Sequence, residues 1–249
     1  VSKGRLIAEI AIVLGLSLGM SALYSVVGIF VRLARETRLS EQTATLNRSA
    51  SEFEWADFSY QLLGIVSSLV PVALVVFLLW QRTKPRLGAL GLDTSAPGSD
   101  ALWGLGLAAL IGIPGLGLYL LGRSLDLTVT VVPTALSEYW WTVPMLVLLA
   151  LRAGILEEVI AVGYLFRRLA DLQVPLVGIV LIQAFVRASY HLYQGFGPFV
   201  GNFVMGLVFG YFFLKTRRLA PLIIAHTAID TVAFVGYPLA VSLYPEILG

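Results

Sequence analysis

Residues 143–166 read VPMLVLLALRAGILEEVIAVGYLF, an apolar run with three charges set into it, Arg152, Glu157 and Glu158. About 20 such residues in a helix cross the hydrocarbon core of a bilayer. A charge at that depth costs at least about 2.5–3.5 kcal/mol on insertion scales, so each needs a partner or a cavity. The surrounding chain has the same character: 249 residues, 58% hydrophobic, 13% charged, with a mean hydropathy of +0.86. A soluble domain carries about 25% charge, so a soluble single-core protein is excluded. Nucleic-acid binding is excluded too, because 17 basic and 15 acidic residues nearly cancel and no dense basic stretch occurs. With no cysteine, disulfides, iron–sulfur clusters and thiolate zinc sites are impossible, and a metal would have to be held by His, Asp or Glu.

Working outward from that stretch, apolar runs lie near 6–31, 59–81, 101–122, 140–166, 175–193, 198–214 and 220–243. They predict an all-α, multi-pass transmembrane bundle of seven spans, or eight if the fourth run breaks near Gly154 or the seventh at Gly236 or Pro238. The first run exceeds the h-region of a signal peptide and reads as a retained span. The polar segments 33–58 and 82–100 are the long linkers. No internal repeat or domain split is visible, so residues 1–249 read as one integral membrane domain.

Basic residues gather in cytoplasmic loops. Seven crossings starting inside place Lys3, Arg5, Arg82, Lys84, Arg86, Arg167, Arg168, Lys215, Arg217 and Arg218 in the cytoplasm, and Arg32, Arg35, Arg38, Arg48 and Arg123 outside. The expected location is the plasma (inner) membrane with a cytoplasmic N-terminus. Trp80, Trp140 and Trp141 fall at span ends, where aromatic belts sit. Asn47-Arg48-Ser49 fits a sequon by a pattern common by chance.

Eight ionisable residues lie within the runs: Glu9, Arg152, Glu157, Glu158, Arg187, His191, His226 and Asp230. Glu9 is near enough to the inner end to snorkel. Glu157 and Glu158 have only Ala153, Gly154, Ile155, Ile160, Ala161 and Val162 three or four residues away, so their counter-charges must come from other helices. Gln183, Arg187 and His191 recur every four residues on the fifth helix, a polar stripe able to face the glutamates. Arg187, permanently charged and able to hold a carboxylate by two parallel hydrogen bonds, is expected to pair with Glu158, leaving Glu157 for His191 and water. His226 and Asp230 sit at i and i+4 on the seventh helix, where the carboxylate can orient the imidazole. Asn202 is a supporting candidate on the sixth helix. The pairs Gly197/Gly201 and Gly206/Gly210 allow that helix to pack closely against the site helices. Counting about 1.5 Å per residue from the inner ends, Glu157 lies about 15 Å in from Arg167, His226 about 9 Å in from Ala220 and His191 about 24 Å in from Pro175. The first two fit a cavity opening to the cytoplasm, and the third is deeper than its expected partners.

Glu157-Glu158 with Gly163-Tyr164-Leu165, a helix ending in His191, and His226-x-x-x-Asp230 occur in this order on three separate runs. Over residues 139–240 they resemble the CPBP family of intramembrane proteases, which includes the CAAX prenyl endopeptidases and bacteriocin-processing proteins. That family's first motif is usually Glu-Glu-x-x-x-Arg, where this chain has Val162, and its second usually Phe-x-x-x-His, where this chain has Arg187. The chain looks like a variant branch with the arginine moved to a neighbouring helix. The resemblance implies peptide-bond hydrolysis in a polar cavity among the C-terminal helices. Glu157 and His191 would activate water, Glu158 would anchor the site, and His226 held by Asp230 would stabilise the oxyanion or protonate the leaving amine. The cofactor is open: either no metal, or Zn²⁺ on His191, His226 and Glu157. The implied partners are membrane lipid and a peptide or protein substrate near the membrane. Two other readings stand beside this one: a catalytically silent scaffold or partner subunit of another membrane protein, and an ion-coupled transporter, for which matching repeated halves are missing.

Overall fold

The computed structural model describes residues 2–79 and 87–243. Trp80, Arg82, Lys84, Pro85 and Arg86 lie outside the described residues. The chain is 77% helical and all-α in class. Each apolar run forms helix: α1 (Lys3–Gly15) with α2 (Leu18–Leu33), α3 (Glu54–Leu78), α4 (Pro97–Ser124), α5 (Thr142–Glu157) with α6 (Leu165–Asp171), α7 (Leu176–Ser189), α8 (Phe196–Thr216), and α9 (Ala220–Thr231) with α10 (Tyr237–Leu243). Four helices among the described residues are long and apolar enough to cross a membrane, the last being Ala220–Leu243, and α1 with α2 makes a fifth if the bent pair is one span. The fourth run carries too much charge to count by composition, and α7, with 14 residues, is too short.

The break falls elsewhere than the sequence points. Between α1 and α2 the axis turns by 60°, where the Ser17 hydroxyl donates to the Val13 carbonyl at 2.6 Å. Gly154 instead lets α5 approach α9, since a Cβ there would meet Thr227 Oγ1 at 2.6 Å. The fourth and seventh runs stay helical but widen into π-turns, Glu158–Tyr164 and Val232–Gly236.

Between the helix ends lies a feature the composition does not announce, a two-stranded parallel sheet of β1 (Thr43–Arg48) and β2 (Thr130–Ala135) in register Thr43 to Thr130. Asn47 is engaged in it, its side-chain amide donating to the Pro133 carbonyl at 2.9 Å. The sheet caps the turn after α7: the Val129 amide donates to the Gln194 carbonyl, Thr128 bridges Gly195, and Ala44, Val129 and Val131 pack against Leu192 and Tyr193. Gly195 is required here, because its φ is +107° and a Cβ would stand 2.5 Å from the Leu127 carbonyl oxygen.

At the opposite end two ion-pair hubs fasten the helices. Arg168 Nε donates to Glu9 Oε1 at 2.7 Å, Nη1 to Asp171 at 3.2 Å and Nη2 to the Leu78 carbonyl at 3.2 Å, and the Tyr164 hydroxyl donates to Glu9 at 3.1 Å. Glu9 is therefore not snorkelling but joins α1 to α6. Arg218 binds Asp100, Asp93 and Ser95. Of the expected belt residues, Trp140 is exposed, but Trp141 is buried, its indole N–H donating to Glu54 at 3.2 Å.

The main apolar core runs from Val13 of α1 through Val75, Leu107 and the π-turn residues Val159–Tyr164 to Leu222 and Ala225 of α9. A cavity of about 350 Å³ with an apolar lining lies apart from the charged residues. It lies between α3, residues 87–92, α5 and α9, lined among others by Leu151, Ile155, Val159 and Ile223.

Candidate functional site

Three elements bring the charges together. α5 ends at Glu157 and the π-turn begins at Glu158. Such turns recur at functional sites. α7 supplies Arg187 and, past its end at Ser189, Tyr190 and His191. α9 supplies His226 and Asp230. The Gly154 approach brings α9 to α5, and Gly206 and Gly210 bring α8 against α7, where a Cβ at 206 would overlap Ala184. Gly197 and Gly201 do not serve the site helices: they face Gly122, Thr128 and Leu118.

Glu158 is wholly buried, and its Oε1 accepts from Arg187 Nη2 at 2.6 Å. His226 Nδ1 lies 2.7 Å from the same oxygen. A carboxylate already taking the guanidinium bond can only accept, so Nδ1 carries the proton in this pairing. The expected pairing of Arg187 with Glu158 is present, and the same guanidinium reaches Glu157, with Nη1 3.6 Å from Oε2. One cation thus reaches toward both carboxylates, which converge on the cluster. Phe209 covers the guanidinium, its ring centroid 5.4 Å away.

Glu157 is bonded by a residue the sequence reading missed. The Tyr190 hydroxyl donates to its Oε2 at 2.6 Å, while His226 Nε2 stands at 3.7 Å and His191 Nε2 at 3.9 Å from that oxygen. No periodicity marks Tyr190; its adjacency to His191 was the available signal. Asp230 lies 3.6 Å from His226 Nε2, beyond hydrogen-bond range, so Glu158 rather than Asp230 holds the imidazole. The Glu157, His191 and Asp230 side chains keep 13%, 20% and 22% exposure, making this the open side of the cluster.

Other expectations need correcting. The stripe Gln183, Arg187, His191 is not one helical face, because α7 stops before His191. Gln183 is buried and donates to the Gly206 carbonyl, joining α7 to α8. Asn202 is not in the cluster: its amide donates to the Pro198 carbonyl one turn back at 3.0 Å. In spite of the depth count both imidazoles lie within 4 Å of Glu157 Oε2; for Glu157 the difference from His191 narrows because the fourth run stays helical to Asp171, about 21 Å away. Zinc fits poorly. Glu157 Oε2 already accepts the Tyr190 hydroxyl and has a guanidinium 3.6 Å away, where a divalent cation would be repelled. Among the described residues no three His, Asp or Glu form a metal-ligand group.

A multi-pass helical membrane protein with an adjacent glutamate pair, two facing histidines and a buried arginine is the class that fold and cluster define. The family model described as type II CAAX prenyl endopeptidase, Rce1-like, matches residues 139–232, a segment holding the whole cluster, so that this part of the chain is similar to that family. Comparison with curated proteins gives no match, and neither does comparison with solved structures.

Proposed function

We propose that the chain is an intramembrane peptidase working by carboxylate- and imidazole-assisted water attack. The observation that carries this reading is Glu157: a partly exposed carboxylate 3.7–3.9 Å from two imidazoles, beside a second carboxylate whose Oε1 is held by both Arg187 and His226. Such distances before substrate binding are compatible with general acid–base work, since catalytic hydrogen bonds tighten in the substrate complex.

In this mechanism Glu157, with His191 alongside, takes a proton from water as its oxygen attacks the substrate carbonyl carbon. The oxyanion that forms receives the Nε2–H of His226 in its imidazolium form, an interaction strongest as charge develops. His226 then gives that proton to the leaving nitrogen as the C–N bond breaks, releasing an acid and an amine. Glu157 returns its proton to His226, and Asp230 steadies the imidazolium. Glu158 and Arg187 hold the frame.

The substrate in this reading is a peptide near the membrane surface. The loop charges favour a cytoplasmic N-terminus in a plasma (inner) membrane, and the core shared by α1 to α9 supports one domain. Reporter fusions after Arg218 should read as cytoplasmic and near Gly195 as external.

The test of activity is turnover of a quenched peptide library by purified protein. Glu157→Gln and His191→Ala should abolish it while leaving expression and detergent stability intact. A scaffold reading has its own support in the buried Glu158–Arg187–His226 network, which ties α5, α7 and α9 together; loss of folded protein in both variants would favour it.

A further inference from the structure

Water activation by Glu157 needs one carboxylate oxygen kept free and aimed, and a glutamate side chain left alone does not hold one orientation. The two oxygens of Glu157 are in different surroundings. Oε2 faces Tyr190, Arg187, His226 and His191. Oε1 accepts no hydrogen bond among the described residues and is not among their buried unpaired atoms. Of the four groups around Oε2, the Tyr190 hydroxyl alone, at 2.6 Å, is within hydrogen-bond range. A short O–H···O⁻ bond belongs to the strong, charge-assisted class, and in a site of low dielectric it is stronger still.

Tyr190 is itself fixed. It is 6% exposed, follows α7 directly, and lies in the segment that the Gly195 turn closes. Its ring lies against His191, centroids 4.7 Å apart with the planes tilted by 44°. One side chain therefore touches both groups assigned to the water.

We infer that Tyr190 is a positioning residue of the site: its hydroxyl pins Oε2 of Glu157 so that Oε1 faces the reacting water, and its ring sets the plane of His191. This rests on the peptidase reading for its purpose, but the hydrogen bond is testable without it. Tyr190→Phe removes one oxygen, keeps the ring against His191 and so keeps the packing.

The experiment pairs kinetics with infrared difference spectra of glutamate-labelled protein, in which the Glu157 carboxylate stretch is the band that Glu157→Gln removes. In Tyr190→Phe that band should shift, kcat should fall about 10- to 100-fold, the range for one hydrogen bond to a charged group, and KM should change less than about threefold. An unshifted band overturns the inference. So does an unchanged kcat, or a loss confined to KM. If the wild-type protein cleaves no peptide, the peptidase reading fails by itself, and the band then decides whether Tyr190 holds Glu157.

Discussion

Removing the Arg187 guanidinium is the most demanding test of the cluster. It is wholly buried, 2.6 Å from Glu158 and 3.6 Å from Glu157, so Arg187→Ala leaves two carboxylates with only the imidazoles of His226 and His191 beside them. Breaking a buried pair by deleting one partner costs about 3–5 kcal/mol, mostly from the stranded charge. At about 2–4 °C per kcal/mol for a chain of this size, the midpoint should fall by about 6–20 °C. The stranded charge can be separated from the lost volume by a cycle. Arg187→Met with Glu158→Gln removes both charges with little change in volume and should be nearer to wild type than Arg187→Met alone, with a coupling of at least about 1 kcal/mol. Thermal unfolding in one detergent, followed by circular dichroism, reads the four proteins of the cycle and Arg187→Ala. A loss under about 1 kcal/mol for Arg187→Ala, or strict additivity in the cycle, would refute the idea that this cation neutralises the pair.

Val162 is fully buried in the main apolar core, so placing the family's usual arginine there by Val162→Arg should destabilise and should not rescue Arg187→Ala in the same melts. Gly195→Ala, with φ +107° and a carbonyl 2.5 Å from the new Cβ, should cost about 1–3 kcal/mol, whereas Gly98→Ala, with nothing within 4 Å, should stay within about 0.5 kcal/mol. Asn202→Ala should retain peptide turnover, because its amide bonds only its own helix among the described residues. Asp126, in the loop after α4, is held below the usual carboxylate range by the Ser40 amide and then the Ser40 hydroxyl. A depressed folded value contributes stability present above about pH 4 and lost as pH falls through the folded value. Melts between pH 6 and pH 3 should therefore decline less steeply for Asp126→Asn than for wild type.

The helix positions were legible because a charge-poor apolar run has few other fates, while only four or five of the seven expected spans are long and apolar enough among the described residues. The Arg187–Glu158 pair was legible for a related reason: two adjacent carboxylates without a helical partner require a cation from elsewhere, and Arg187 lies on a facing run. What escaped depends on departures from regular geometry. The end of α7 at Ser189 places His191 in a turn, and a four-residue spacing cannot reveal that. The π-turn at Glu158 alters which neighbours its carboxylate meets. Tyr190 carries no pattern, and Glu9 finds Arg168 across 159 positions of chain. β1 and β2 pair across two intervening helices, so neither strand finds its partner locally.

The shortness of α7 couples this site to the thickness of its surroundings. Fourteen residues rise about 21 Å, about 9 Å less than a hydrocarbon layer of roughly 30 Å, so for α7 to serve as a crossing the backbone that follows it would need shielding by protein. The sheet and the loop before β2 cover it on one side, with α2 on another through the Ser25 hydroxyl, which accepts the Tyr193 amide at 2.6 Å. Lipids of longer acyl chain would press against this plug, and shorter ones would relieve it, each ångström of mismatch costing a fraction of a kcal/mol. Acyl length is thus a control on the geometry at Glu157 that needs no mutation, and reconstitution across a series of chain lengths would show it as a graded change in the same carboxylate band.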